Sequence, residues 1–340
     1  MPTKVLITGA TGYIGGSVLH RFLSRSDAAS FDFRAIVRSL EKAEKLRKFG
    51  VSTIVGSHND PMVMVKAASE VDVLIAMADC DDLAAAELAL KGLKKRYEET
   101  GKPPIFINTS GTGVLMDKAL GMYASQVIYN DEDAKQLEGL PPSQPHRIVD
   151  LAIVEADKAG YIKSYIILPS TIYSIAKNPF IDEGISHPYS QQIPGLIKVA
   201  LARRQAGMVG LGKNIWSNVD IHELTDLYSV LYDSIVHDPV TGHGRDGYYF
   251  GANGEHSLLD VAKTIGEVLF EVGQLKSREP TSFTKEENEK WFKSGMMGSN
   301  ARCIANRSKA IGWKPEKTTK NMLASIKPEA EAILKTSQSS

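Results

Sequence analysis

Cysteine is almost missing from this sequence: Cys80 and Cys303 are the only two in 340 residues. Two isolated thiols make neither a disulfide framework nor a thiolate metal site, and they suit a reducing compartment. Net charge is missing too. Lys+Arg and Asp+Glu number 40 each, so no global field draws the chain to nucleic acid or to an anionic membrane. No apolar run approaches the roughly 18 residues of a membrane span, and no basic stretch leads into a signal-type core. The expectation is a cytoplasmic protein whose partner is a small molecule, not nucleic acid and not membrane. Repeats, low-complexity tracts and linkers are also absent. At 340 residues, one large or two interlocked domains are expected.

What is present is a rhythm. Apolar runs of four to six residues, KVLIT (4–8), FRAIV (33–37), VSTIV (51–55), DVLIA (72–76), PIFIN (104–108) and SYIIL (164–168), alternate with amphipathic helical segments. Runs that short and that uniformly apolar are buried on both faces, as in a parallel sheet covered by right-handed crossover helices. The fold class is therefore α/β, doubly wound. Beyond about residue 175 the rhythm is broken by Pro179, Pro188 and Pro194; it resumes with 219–236 and GYYFGA (247–252). The expected division is a dinucleotide-binding unit, 1–175 plus 218–255, and a smaller discontinuous substrate lobe, 176–217 plus 256–340.

The first strand runs directly into GATGYIGG. Gly9, Gly12 and Gly15 then allow a tight turn, close approach of backbone N–H groups to a pyrophosphate, and a helix whose positive end receives the charge. Strand, turn, helix and next strand all fall where this fingerprint needs them. At the end of the second strand, where an acidic residue accepts the ribose hydroxyl in NAD proteins, the sequence has Arg38. A guanidinium matches a 2′-phosphate, so NADP(H) is the expected cofactor. Lys42, one helical turn further, either adds charge or lies on a solvated face.

The TGATGYIGG turn, together with VDVLIAMAD (71–79), INTSGTG (107–113), LPSTIY (168–173), WSNVDIHELTDLY (216–228) and ANRSKAIGWKP (305–315), resembles the short-chain dehydrogenase/reductase superfamily in its extended and atypical, epimerase/dehydratase-like branch. The resemblance implies a Rossmann sheet. It implies that Gly9, Thr11, Gly12, Tyr13, Ile14 and Gly15 hold the pyrophosphate and Arg38 the adenosine phosphate. It further implies Asp60 by the adenine, Ala76 and Ala78 by the ribose, and Thr109, Pro169 and Ile172 around the nicotinamide. Ser110 falls at the substrate-orienting serine. A homodimer is possible, since helices around 83–100 and 146–160 are where such proteins pair.

Typical members carry a Tyr-x-x-x-Lys pair on the helix after the fifth strand: Tyr protonates the carbonyl oxygen, and Lys lowers the phenol's pKa. Here that helix begins in PPSQPHRIVD (141–150), and the two possible registers put Pro142 and His146, or Ser143 and Arg147, at the two positions. The chain is read as lacking the pair. Either another group supplies the acid, with Tyr129, His146 and Tyr173 as candidates beside Ser110, or the site binds cofactor without ordinary carbonyl reduction. His146 is chemically suited, because imidazole titrates near neutrality.

HELTD (222–226) places Asp226 where a zinc-binding H-E-x-x-H needs its second imidazole, so no metal is expected. NDEDA (130–134) reads as a helix N-terminus. The function expected is an atypical NADPH-dependent oxidoreductase acting on a small or medium organic carbonyl, enone or imine; substrates needing little protonation suit the missing pair best. The alternatives are an NADP-sensing regulator without turnover, and an epimerase or dehydratase that recycles a tightly held cofactor.

Overall fold

The computed structural model describes residues 1–292 and 296–338; of the expected substrate lobe, 293–295 and the last two residues lie outside them. Seven strands form the central sheet: β1 (Thr3–Thr8), β2 (Phe31–Val37), β3 (Ser52–Val55), β4 (Val73–Ala76), β5 (Ile105–Thr109), β7 (Lys163–Pro169) and β11 (Tyr248–Gly251). Their order is β11-β7-β5-β4-β1-β2-β3, and every pairing is parallel. The six apolar runs and GYYFGA supply these strands. Each is short and largely apolar because helices cover both faces.

Those helices are α1 (Tyr13–Leu23), α2 (Leu40–Arg47), α3 (Pro61–Ser69), α4 (Leu83–Thr100), α5 (Ala134–Glu138), α6 (Arg147–Lys158) and, after the irregular region, α9 (Ile221–His237). Their starts are legible chemically. Ser39, Asp60, Asp82, Asp133 and Asp220 each accept backbone N–H groups of the following turn, which otherwise have no partner. The expected helix start at NDEDA holds at Asp133, but Asp131 does something else. It is 1% exposed and accepts from the N–H groups of Phe250, Arg307 and Ser308, so one carboxylate ties three distant segments together.

A second layer begins where β7 ends. Strands β8 (Thr171–Tyr173), β10 (Ile215–Asp220) and β12 (Glu255–Ser257) make a three-stranded sheet in the order β12-β10-β8. Helices α8 (Gln192–Arg203), α10 (Leu258–Glu271) and α13 (Thr319–Gln338) pack beside it around a second apolar core that includes Ile197, Leu269 and Ile326. The remaining elements are short. The strand β6 (Tyr129–Asn130) pairs with β14 (Cys303–Ile304), and β9 (Gly207–Met208) with β13 (Thr281–Ser282). The helices α7 (Pro179–Asp182), α11 (Lys285–Trp291) and α12 (Asn306–Ala310) complete the set. The two layers share chain more finely than two blocks. Phe180 and Ile185, from 176–217, and Cys303 and Trp313, from the C-terminal part, lie in the core of the first layer.

Candidate functional site

The carboxyl ends of β1, β2, β4 and β5 open on the glycine turn. Gly9 has φ +75°, and a Cβ there would come within 2.5 Å of the Met77 carbonyl oxygen at the end of β4. A Cβ on Gly15 would overlap the Gly9 carbonyl. Gly12 is the N-cap of α1; no side chain caps the helix, and no carboxylate sits in its first turn. The turn is thus a cradle with free helical N–H groups and no internal anion. Thr11 and Ile14 are half-buried in it. The Tyr13 hydroxyl instead turns away, donating to the carbonyls of Tyr173 and Ser174, 3.1 and 2.5 Å distant.

Arg38 follows the last residue of β2, which lies beside β1 and runs the same way. Its side chain is exposed and makes no hydrogen bond or ion pair among the described residues. Asp60 serves as the N-cap of α3, with its Oδ1 accepting from Met62 and Val63. Ala76 and Ala78 line one cleft with Thr8, His58 and Asn108, in which His58 Nε2 and Asn108 Nδ2 are buried without hydrogen-bond partners, His58 Nε2 lying 4.0 Å from Asp82 Oδ2. Pro169 and Ile172 flank the junction of β7 and β8, and the Thr109 hydroxyl is 2.7 Å from that of Tyr228.

At the end of β5, Ser110 Oγ donates to Asp150 Oδ2 at 2.9 Å. Asp150 lies on α6, fully buried, and its other oxygen has no partner. Burial pushes its carboxyl up to about 7, against the opposing pull of the Ser110 hydrogen bond and the Arg147 charge. Arg147, 3% exposed, donates to the Tyr248 hydroxyl at 3.0 Å.

His146 sits one helical turn before Asp150. It is the N-cap residue of α6, in a left-handed conformation with φ +66°, but its side chain does not cap the helix. Its Nδ1 lies 2.8 Å from Asp81 Oδ1 and 3.2 Å from Cys80 Sγ. The imidazole fills space left by two glycines after Ser110: a Cβ on Gly113 would be 2.9 Å from Nε2, and one on Gly111 3.2 Å. Asp81 thereby fixes one ring nitrogen and leaves the other facing the strand-end turn. The Cys80 thiol is pushed up to about 12, first by burial and then by neighbouring Asp81 and Asp79, so it stays protonated. Cys80, Asp81 and His146 form the one cluster of metal-ligand type among the described residues, but their spacings are those of hydrogen bonds.

One expected proton donor, Tyr173, is corrected by this geometry, and another, Tyr129, lies on a separate short ladder. Tyr173 is 0% exposed and belongs to the second core; its hydroxyl faces the Thr318 carbonyl at 3.4 Å. Pairing of β8 with β10 turns Tyr173 inward together with Thr171. Tyr129 belongs to the short ladder with β14, and no hydrogen bond among the described residues links it to Ser110, His146 or the glycine turn. One Tyr-x-x-x-Lys spacing does occur in the chain, Tyr173 with Lys177, which corrects the reading that none exists. It is not a helical pair: Tyr173 ends a strand, Ser174 has φ +78°, and Lys177 is exposed in a loop. Asp150 was hidden from sequence reasoning. The only signal for it is an acidic residue on the inward face of α6, four positions past His146.

Residues 1–91 match the model of the NmrA-like family. Along nearly its whole length the chain is 26% identical to the oxidase UcsJ of Acremonium sp, covering 98% of this chain and 99% of that one. Among solved structures it is similar to the UDP-glucose 4-epimerase of Thermotoga maritima, solved with UDP-glucose. The TM-score is 0.66 at 14% identity, over 98% of this chain and 99% of the other. It is equally similar to the UDP-glucuronic acid 4-epimerase of Bacillus cereus, solved with UDP-glucuronic acid and NAD, with a TM-score of 0.66 at 14% identity over 97% and 100%. The resemblance to the extended and atypical short-chain dehydrogenase/reductases therefore stands: the chain has their Rossmann-like fold, an NmrA-like N-terminal region, and an oxidase as a full-length relative.

Proposed function

We propose that this protein is an NADP(H)-dependent oxidoreductase of the atypical short-chain type, reducing a small or medium organic carbonyl, enone or imine in the cytoplasm. The observation that carries the reading is Arg38, uncommitted and exposed beside an uncapped glycine cradle. The cradle fits a dinucleotide: its glycines leave the volume a pyrophosphate needs, and its helix end offers donors to an anion. Gly9, Thr11, Gly12, Ile14 and Gly15 hold that group, and Arg38 grips the adenosine phosphate. The nicotinamide supplies a hydride when bound. Ala76 and Ala78 flank the ribose, and Thr109, Pro169 and Ile172 the nicotinamide.

The acid is the Ser110–Asp150 pair. When Asp150 is protonated the 2.9 Å bond reverses its sense: the carboxyl donates to Ser110 Oγ, and the hydroxyl, turned to the substrate, gives its own proton to the substrate oxygen or nitrogen as it takes the one from Asp150. One proton leaves Asp150 for each hydride the substrate accepts, and the carboxylate is reprotonated before the next cycle. His146, held through Nδ1 by Asp81, presents its second nitrogen at the same strand end. The two roles typical of Tyr and Lys are thus redistributed over Ser110, Asp150 and His146.

Titration calorimetry with NADP⁺, NADPH, NAD⁺ and NADH tests the reading, followed by loss of 340 nm absorbance over a panel of ketones, enones and imines. Preferential NADP(H) binding with oxidation of NADPH is expected. No heat for NADP⁺ or NADPH at millimolar concentration overturns it.

A further inference from the structure

A cysteine that stands alone in the sequence gains company in the fold. Cys80 lies in the turn MADCDDL (77–83) after β4, and the start of α6 brings His146 to it from 66 positions away. His146 Nδ1 is 3.2 Å from Cys80 Sγ and 2.8 Å from Asp81 Oδ1, and the three atoms lie within 4.8 Å of one another. Sulfur, imidazole nitrogen and carboxylate oxygen thus converge. A tetrahedral Zn²⁺, at about 2.1 Å from nitrogen and oxygen and about 2.3 Å from sulfur, sets its ligands about 3.4–3.6 Å apart. Hydrogen bonds hold these atoms closer than that, and a metal has to part them by about half an ångström. The Asp81 side chain, 61% exposed, can make that movement, while His146, 14% exposed, stays fixed. The same exposed side admits the ion and a water as fourth ligand.

The surrounding charge favours a cation. Asp81, Asp79 and Asp150 all act on Cys80 with negative charge, and Asp81 acts in the same sense on Asp150. Among the described residues Asp81 forms its ion pair with His146 and with no Lys or Arg. The Ser110 hydrogen bond and the Arg147 charge answer Asp150 in part, yet one of its oxygens stays buried without a partner. A divalent ion at the three converging atoms relieves this mutual repulsion. The other acids of the turn are occupied locally: Asp79 Oδ1 accepts from the Asp81 N–H, and Asp82 Oδ1 from the Ala85 N–H. The protein therefore offers three ligands and no more.

We infer that Cys80, Asp81 and His146 bind Zn²⁺, as thiolate, carboxylate and imidazole Nδ1. A mixed sulfur, nitrogen and oxygen set suits zinc, whereas Mg²⁺ and Ca²⁺ take oxygen. On binding, the Cys80 proton leaves to solvent and the Nδ1 lone pair goes to the metal. The ring proton then has to sit on Nε2. In the neutral ring bonded to Asp81, by contrast, Nδ1 carries the proton and Nε2 is an acceptor. Zinc therefore turns Nε2 from acceptor to donor where it faces Gly111 and Gly113, directly after Ser110. This makes His146 a metal-sensitive group. The site rests on three side chains and not on the oxidoreductase reading.

The probes are Co²⁺ and Zn²⁺ alone, titrated into the full, untagged, reduced chain. Co²⁺ should give a thiolate-to-metal charge-transfer band at one ion per chain, and Zn²⁺ should displace it. Cys80→Ser should abolish the band and weaken Zn²⁺, measured by competition with a chromophoric chelator, by more than about 100-fold, beyond the loss of an outer-shell contact. Asp81→Asn alters an exposed side chain, so it leaves the fold in place; it should weaken Zn²⁺ by about tenfold or more. Cys303→Ser, in the first core, should change neither signal. In ¹⁵N-histidine spectra, Zn²⁺ should move the His146 ring proton from Nδ1 to Nε2. No charge-transfer band, a band that survives Cys80→Ser, Zn²⁺ affinity that neither Cys80→Ser nor Asp81→Asn changes, or a His146 tautomer that Zn²⁺ leaves alone overturns the inference. A chain that binds Zn²⁺ here but gives no heat with NADP⁺ upholds the metal site and sinks the cofactor reading instead.

Discussion

Ser110 and Asp150, 40 positions apart in sequence, meet in the interior through a 2.9 Å hydrogen bond at the carboxyl end of β5. The carboxyl beneath the hydroxyl sits in surroundings that hold its proton, and the donor role proposed for the pair depends on that.

Reduction should therefore slow as pH rises through about 7, as Asp150 empties. Asp150→Asn keeps the shape, abolishes this pH dependence, and should lower kcat by roughly 100-fold, in the range of a lost general acid. Initial rates from pH 5 to 9 check this; an unchanged profile in the variant would remove Asp150 from the proton path.

Arg38→Ala should weaken NADPH by about 10- to 100-fold, the worth of a charge-assisted contact, and leave NADH unchanged. Because the side chain is exposed and unpartnered, the melting temperature should not move. Equal losses for both nucleotides would show that the arginine does not read the phosphate.

Gly15→Ala places a methyl group against the Gly9 carbonyl. The turn must open, at a cost of about 2 kcal/mol or more in stability, and nucleotide binding should fall with it. Thermal melts with and without NADP⁺ measure both; the ligand-induced gain in midpoint should disappear.

Glu329 on α13 accepts from the Ser174 N–H, has one buried oxygen without a partner, and is pushed up to about 7 by burial. A carboxyl raised in the folded state contributes stability that is complete below its unfolded pKa, near 4.5, and is lost as pH rises through about 7. Unfolding free energy should fall over that window for wild type. Glu329→Gln should flatten the slope in denaturant titrations at pH 5, 6, 7 and 8, with Asp150 supplying the part that remains.

The sheet, the glycine turn and Arg38 could be read directly from the sequence because each depends on neighbours within a few residues: the apolar runs, the G-x-x-G-x-x-G spacing and one position past a strand. The active corner could not. Asp81 reaches His146 and Ser110 reaches Asp150 only after α4, β5 and α6 have packed, and no local spacing encodes those meetings. Tyr173 was misplaced because its direction follows from β8 pairing with β10, some 45 positions later.

Asp131 bears on how the chain is made. Its carboxylate waits for amides at 250, 307 and 308, and the central sheet lacks an edge until β11 joins β7. During synthesis, nearly the whole polypeptide must leave the ribosome before this acid finds its donors, so the growing chain exposes an open strand edge for most of its translation. Truncation before Tyr248 should yield aggregates, not a soluble half-protein.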